Sequence, residues 1–415
     1  MGGVKMEWKE VTLGDLCEIS SSKRIFAKEY QTKGIPFYRG KEIIERQSGN
    51  AISNELFISK DRYEEIKAKY GVPQKQELLL TSVGTLGVPY VIKEEEFYFK
   101  DGNLTWFRHF DGLDVEYLYY WFLSPYGKNE INAKAIGSTQ KALTINCLSK
   151  FNIKIPVKLE DQHRIASILS SLDRKIELNN QINAKLEEMA KAIFKYWFVD
   201  FEPFKEGKFV ESELGMIPEG WKVGRADDFY QINIGKTPPR KEHKWFSTDP
   251  ADKIWVSIAN MGNSGIFISD SSEYLTKEAV DSHNIIMVPI NTILLSFKLT
   301  VGRVAIADKE LTTNEAIARF ILSDDKYMEY LYLYLKKFDY NSLGSTSSIA
   351  TAVNSKTIKG MQMLQPSDKV IDAFHIQVNP IFEKIRSLTK ETSRLSHLRD
   401  TLLPKLMSGE LEVSE

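Results

Sequence analysis

Apolar residues recur at helical spacing from Asp161 to Phe204, a stretch with no glycine and no proline before Pro203. Leu172, Ile176, Leu186, Met189 and Ile193 fall on a heptad-like seam, Asn179 and Asn183 occupy the two positions between them, and charged residues fill much of the rest. About 38 residues at roughly 1.5 Å each give a rod of about 55–60 Å, longer than one domain needs to cover its core. Such a rod requires a partner helix. A shift of 209 positions sets Ile176 on Ile385, Leu186 on Leu395, Met189 on Leu398 and Ile193 on Leu402. Two matching seams predict an intramolecular coiled coil. Pro404 stands where the first copy has Lys195, and the missing amide predicts a kink or an end near Leu403. Around Phe194, Tyr196, Trp197, Phe198, Phe201 and Phe204 the apolar face spreads to nearly all sides, so more than the partner helix must cover it.

Outside the rods the period shortens. Residues 6–157 predict a mixed domain: WKEVTLGDLCEI as a helix capped by Thr12, IPFYRG as a short strand, ELLLTSVGTLGVPYVI as a strand with a glycine turn, and VEYLYYWFLS as a buried helix. AIGSTQKALTINCLSKFNIKIP follows as a polar loop leading into a strand that ends at Pro156. A linker rich in Phe, Glu and Lys is expected from Phe201 to about Glu219, and then the pattern starts again. Trp221 answers Trp8, ILLSFKLTVGRVAIA overlays LLLTSVGTLGVPYVI, MEYLYLYL overlays VEYLYYWF, and SLGSTSSIATAV overlays AIGSTQKALTIN. A period this long means two copies of a domain-plus-helix unit, not a solenoid.

Composition narrows the possibilities. A chain of 415 residues with 42% hydrophobic content can fill the cores of two or three domains. No apolar run reaches membrane-spanning length and no charged-then-apolar leader opens the chain, so a soluble, cytoplasmic protein is expected. The two cysteines, Cys17 and Cys147, form no ligand-like pair and the six histidines are scattered, which argues against zinc or a disulfide framework. A formal net charge of −1 gives no electrostatic sign of a nucleic-acid binder, so any such role needs local cation clusters or a partner that supplies positive surface.

No catalytic constellation emerges. Gly235, Lys236 and Thr237 mimic the tail of a phosphate-binding loop, but Tyr230 stands where its first glycine belongs. Thr237, Pro238, Pro239 and Arg240 share only their paired prolines with a methyltransferase tetrapeptide. Asp200, Glu206 and Lys208 read as a solvated face rather than a nuclease site, and Asp161 and His163 as helix-start residues.

The order of domain, AIGSTQKALTINCLSKFNIKIP, long helix, second domain, SLGSTSS and HLRDTLLPKLMSGEL resembles the DNA-specificity subunit of a type I restriction-modification system over essentially the whole chain. That resemblance implies an α+β fold: two tandem globular α/β target-recognition domains separated by two long helices in an antiparallel coiled coil, with pseudo-two-fold internal duplication. It places the recognition domains at 1–157 and 205–366 and the conserved helices at 158–204 and 367–415. Each domain would read one half of a bipartite double-stranded DNA target, while the helices set the spacer and dock two methyltransferase (modification) subunits, through which restriction subunits join. The chain itself would be non-catalytic and without cofactor; the methyltransferase would use S-adenosylmethionine and the restriction subunit ATP and Mg. A tandem-domain protein-binding scaffold without DNA readout is the alternative.

Short cation-bearing loops are the candidates for DNA contact, since Lys and backbone amides suit phosphates and Arg suits guanine edges. Ser22, Lys23 and Arg24 follow the first predicted helix, and Lys236, Thr237, Arg240 and Lys241 recur at the matching place. Arg39, Lys41, Gln140, Lys141, Lys298, Arg303, Ser345 and Thr346 are second-rank candidates. Ordinary solvated turns are the bland alternative for each. Phe194, Tyr196, Trp197 and Phe198 are candidates for docking a partner subunit, with packing on the chain's own second domain as the alternative.

Overall fold

A computed structural model describes residues 6–49, 51–137, 141–343 and 353–413. Two compact units emerge, Met1–Ile176 with Arg394–Glu415, and Glu177–Ser393.

The first unit opens with β1 (Trp8–Thr12) and β2 (Glu18–Ser20), then β3 (Ile35–Tyr38), α1 (Gly40–Gln47), β4 (Phe57–Ile58) and α2 (Lys60–Tyr70). Next come β5 (Leu78–Thr81), β6 (Pro89–Val91), β7 (Tyr98–Phe99), β8 (Leu104–Arg108), α3 (Val115–Leu123), α4 (Pro125–Lys134), α5 (Ile145–Ser149) and β9 (Asn152–Pro156). The long helix α6 (Leu159–Phe198) starts here and ends in the second unit. The sheet runs β2-β8-β5-β6, beside a smaller β4-β3-β7 sheet and the β1-β9 ribbon. Leu78–Thr81 is buried at every position, which explains its unbroken apolar run.

The second unit repeats the plan. It contains β10 (Phe209–Ser212), β11 (Gly215–Pro218), β12 (Lys222–Arg225), α7 (Ala226–Phe229), β13 (Gln231–Ile234), β14 (Phe246–Ser247), β15 (Lys253–Val256), α8 (Ile258–Asn263) and β16 (Phe267–Ile268). It continues with β17 (Tyr274–Leu275), α9 (Lys277–Ser282), β18 (Ile293–Ser296), β19 (Val304–Ala307), β20 (Thr312–Thr313), β21 (Ile317–Ile321), α10 (Met328–Lys337), α11 (Ser355–Lys359), β22 (Gln362–Gln365) and α12 (Asp368–Ser408). The order β13-β21-β18-β19 matches β2-β8-β5-β6 with β16 added, the parallel pair β15-β20 matches β3-β7, and the ribbon β12-β22 matches β1-β9. The duplication is therefore present in strand pairing as well as in sequence.

Two expectations fail here for local reasons. WKEVTLGDLCEI is not a helix: Trp8–Thr12 pairs residue for residue with Pro156–Asn152, and only Leu13–Asp15 turns, with the Thr12 hydroxyl donating to Asp15 at 2.6 Å. The stretch from Phe201 to Glu219 is more than a linker, since Phe209–Ser212 and Gly215–Pro218 form an antiparallel hairpin.

The long helices pair antiparallel, as predicted. In the second unit Asn179 donates to Glu391 at 2.9 Å and Asn183 to Thr389 at 3.4 Å; in the first, Arg399 bonds Asp173 at 2.7 Å. Ile385 is buried and Ile176, Leu186, Ile193, Leu395 and Leu402 are half-buried, but Met189 (53% exposed) and Leu398 (45%) are off the seam. Ala190 is buried in place of Met189, because the step of four after Leu186 lands there; Arg399 likewise takes the inner place beside Leu398. Side-chain size misled the sequence reading. Pro404 does not end α12, which runs to Ser408 because Leu403, Leu406 and Met407 are held in the first unit's core. Asp400, whose carbonyl a residue at 404 would otherwise bond, is exposed to water.

Each copy places a glutamate at the second position of its aromatic helix, Glu116 and Glu329, and burial raises both carboxyls. Glu329 is fully buried, with His375 Nδ1 at 2.8 Å and its Oε1 without a hydrogen-bond partner. A carboxyl raised in the fold contributes stability that is complete below its unfolded value and is lost as pH rises through the folded one. Glu329→Gln, which mimics the protonated form, is expected to gain thermal stability relative to the parent as pH rises from 5 to 8. A gap that narrows over that range would show that His375 holds Glu329 ionised.

Candidate nucleic-acid interface

In the first unit the candidate residues sit where strands turn at one end of the small and large sheets. After β2 the chain hooks onto β7: the Ser22 hydroxyl donates to the Phe99 carbonyl at 2.8 Å and the Lys23 amide to the Tyr98 hydroxyl at 2.7 Å. Ser22 is buried and anchors the loop rather than facing solvent. That leaves Lys23, its ammonium 4.6 Å over the Tyr70 ring, and Arg24, which bonds Asp101 at 2.8 Å while 68% exposed.

Arg39, leaving β3, is held through both its amide and its guanidinium by Glu42 at the start of α1. Burial works to raise the Glu42 carboxyl, but these bonds hold it below the usual carboxylate range. Lys41 is exposed with Glu45 at 3.7 Å. Arg39, Lys41, Asn54, Val83, Thr85 and Asn103 line a shallow cleft of about 600 Å³. Ala142 pairs with Val83, which brings exposed Lys141 beside the β5–β6 turn. Gln140 lies outside the described residues.

Strand register fixes the equivalence with the second unit. Ser20 faces Trp106 as Asn233 faces Arg319, with Phe107 and Phe320 opposite Leu78 and Ile293, so Lys23 corresponds to Lys236. The Lys236 amide donates to Thr313, the residue in Phe99's place, at 2.9 Å. Both loops therefore hang from the same backbone point. Gly235 is required there because a Cβ would lie 2.0 Å from the Asn314 carbonyl.

Beyond it Thr237 donates to Glu315, whose carboxyl burial would raise but the Thr237 bond and the Lys298 and Arg240 charges hold low. Three candidates thus gather around a glutamate that sequence reasoning missed. Its only signal was the position matching Asp101, the partner of Arg24. Arg240 also bonds Glu273 at 2.7 and 2.8 Å and stacks 4.3 Å from Phe246 and 4.4 Å from Trp255. Lys241 is exposed. Arg303 is structural: it bonds the Ile258 carbonyl at 2.7 Å and packs on Gly262. Ser345 and Thr346 lie outside the described residues.

Arg24, Arg39, Lys41 and Arg240 each have an acidic neighbour, so part of the loops' positive charge is neutralised locally. A phosphate must compete with those carboxylates, and exposed pairs of this kind are worth only about 0–1 kcal/mol, so they yield to a polyanion. The arrangement can hold phosphate and present Arg, Asn and Thr to base edges.

The aromatic run is largely consumed internally. Phe194 and Phe198 are buried, with Phe198 4.8 Å from both Tyr330 and Phe374, and Trp197 packs on Phe204 and Phe374. Buried rings cannot dock a partner, which removes Phe194 and Phe198 from that role; Tyr196, 51% exposed, remains.

The family model for the type I restriction modification DNA specificity domain matches residues 5–188 and 218–369, one match on each copy of the repeat. The chain is 29% identical to the MjaIX specificity subunit of Methanocaldococcus jannaschii, covering 100% of this chain and 96% of that one. It is 28% identical to the HindI specificity subunit of Haemophilus influenzae over 67% of this chain and 73% of the relative. In fold it resembles the S subunit of a type I restriction-modification system from M. genitalium, at a TM-score of 0.61 and 16% identity over 97% of this chain and 96% of that one. With the duplicated sheets, the paired long helices and both copies matched, the chain belongs to the family of type I restriction-modification DNA specificity proteins.

Proposed function

We propose that the chain is the non-catalytic, sequence-reading subunit of a type I restriction-modification complex, each unit reading one half of a bipartite double-stranded DNA target. The observation that carries this is the pair of cation loops, 22–24 and 236–240, hung from equivalent backbone points yet built from different residues. A shared scaffold with divergent loops suits two different half-sites. The long helices would set the spacer and dock two methyltransferase subunits, which would bring S-adenosylmethionine, with ATP and Mg belonging to restriction subunits. No helix among the described residues is long and apolar enough to cross a membrane, and a cytoplasmic site of action fits this role.

The chain alone is expected to bind DNA weakly and to gain affinity and specificity with the methyltransferase present, because a net charge of −1 gives it little general attraction for phosphate. In gel-shift titrations of that complex, Arg240→Ala with Lys298→Ala should weaken binding and reduce the salt slope by roughly one for each phosphate no longer neutralised. Tight, sequence-specific binding by the isolated chain, or an unchanged salt slope, would count against the assignment.

A further inference from the structure

The β18–β19 turn, Phe297–Gly302, bears two costs that nothing among the described residues of its unit repays. Leu299 has φ 60° and is 100% exposed. A bulky L-residue in the left-handed region is a backbone outlier, and such outliers gather where the surroundings hold them for a purpose. The other non-glycine residues with positive φ among those described differ from it. Gln76, His109, Asn284 and Asn291 are polar, and Phe201 is repaid by its ring, 5.6 Å from Trp221 and 5.9 Å from Phe209.

The corresponding turn of the first unit shows that the backbone, not the leucine, sets this conformation. Leu78 matches Ile293 in register, so Gly84 (φ 82°) matches Leu299 and Gly87 (φ 76°) matches Gly302 (φ 89°). One copy meets the left-handed position with the residue suited to it. The other places there an apolar side chain directed wholly into solvent.

The turn is also held firmly. The Ser296 amide donates to Arg303 at 2.9 Å, the Gly302 amide returns to Ser296 at 3.0 Å, and the Ser296 hydroxyl donates to the Thr300 carbonyl at 2.6 Å. Phe297 is buried beneath, and Tyr340 packs on Gly302. Lys298 is next to Leu299 in the chain, and its charge, with that of Arg240, helps hold the Glu315 carboxyl low.

We propose that Leu299 is a specificity-determining residue that makes an apolar contact with a base of the half-site read by the second unit. The proposal rests on the DNA-reading assignment above. An apolar side chain beside phosphate-binding cations meets two kinds of apolar base surface, a thymine methyl in the major groove or the face of a base at an opened step. A preformed turn brings it there without further ordering cost.

The test uses the full chain with its methyltransferase in a host whose methylated bases are then mapped. Leu299→Gly should leave the melting temperature unchanged or raise it, because the strain is relieved. It should also relax discrimination at one position of the second half-site by about tenfold or more, the first half-site being retained. Leu299→Asn, a polar residue tolerant of the same conformation, should do the same. On oligonucleotides carrying the mapped target, deoxyuridine in place of thymine would abolish the Leu299 advantage for a methyl contact and leave it for a face contact. An unchanged motif and unchanged methylation in both variants would overturn the proposal, as would impaired co-purification with the methyltransferase at an unchanged motif. Failure of the parent to give any bipartite motif would overturn the DNA-reading assignment itself, a separate outcome.

Discussion

A chain ending at Ser393 is expected to lose the fold of its first unit while keeping that of its second. The second unit closes at Ser393, whereas the first takes in Arg394–Glu415 from the far end of the sequence. Leu403, Leu406 and Met407 are 8%, 1% and 2% exposed and share a core with Leu118, Trp121, Ile155 and Ile165. Cutting one such side chain back to alanine costs about 2–5 kcal/mol, so losing three approaches the whole stability of a domain, about 5–15 kcal/mol. Arg399 goes with them, and with it the 2.7 Å bond to Asp173, which also accepts from the Tyr120 hydroxyl at 2.6 Å. Limited proteolysis with mass mapping should show cleavage throughout residues 6–176 and protection of 177–393. Leu406→Ala in the full chain should move the first unit's unfolding transition in the same direction by about 2–5 kcal/mol. Protection of the first unit in the truncated chain would mean that the terminal helix only leans on it.

A fragment ending near residue 205 should dimerise, and trimming the aromatic end of its helix should tighten the dimer. Such a fragment holds one complete copy of the repeat but neither the helix end that fills the first unit's core nor the unit in which its own helix end is buried. By the repeat, Phe194, Trp197 and Phe198 match Leu403, Leu406 and Met407. In a two-fold dimer each helix would therefore insert three aromatic rings where the intact chain inserts two leucines and a methionine. Overfilling of that kind costs about 1–3 kcal/mol. The mismatch lies at this end rather than along the seam, whose half-buried residues differ little in size between the copies. Phe194→Leu, Trp197→Leu and Phe198→Met together should lower the dimer dissociation constant in sedimentation equilibrium. The dimer, completed by the methyltransferase, should recognise a symmetric target made of the first half-site and its inverted copy. A strictly monomeric fragment with and without the methyltransferase, or a weaker dimer in the triple variant, would show that the two helices are not interchangeable.

Much of this architecture was legible in the sequence because it rests on long, repeated apolar patterns. LLLT and ILLS mark the two central strands, VEYLYYWF and MEYLYLYL the two buried helices, and the seam with its paired asparagines marks the long rods. The misreadings have local causes. Trp8–Thr12 becomes a strand through pairing with Asn152–Pro156, a partner no local window contains. Met189 looked like a seam residue because it is large and apolar, but helical register favours Ala190. Pro404 predicts a kink or an end near Leu403, and of these the end does not occur, because packing of Leu403 and Leu406 carries the helix on to Ser408.

The candidate site was legible as loops, not as side chains. The two loops at 22–24 and 236–241 stand at matching places, but the pairing of Lys23 with Lys236 comes from strand register, Ser22 turns inward to Phe99 and Arg303 is held by the Ile258 carbonyl. Glu315 and the turn at Leu299 are recognisable only once the strands are placed, since their meaning depends on what they face.

Mapping methylated bases in the genome of a host that carries this chain with its methyltransferase tests the central claim most directly. The expected result is a single bipartite motif, two short specified halves separated by a spacer of fixed length and free sequence, with substitutions at Lys23 and Arg24 altering one half and those at Arg240 and Lys298 the other. A contiguous motif, or substitutions in one unit that change both halves alike, would contradict it.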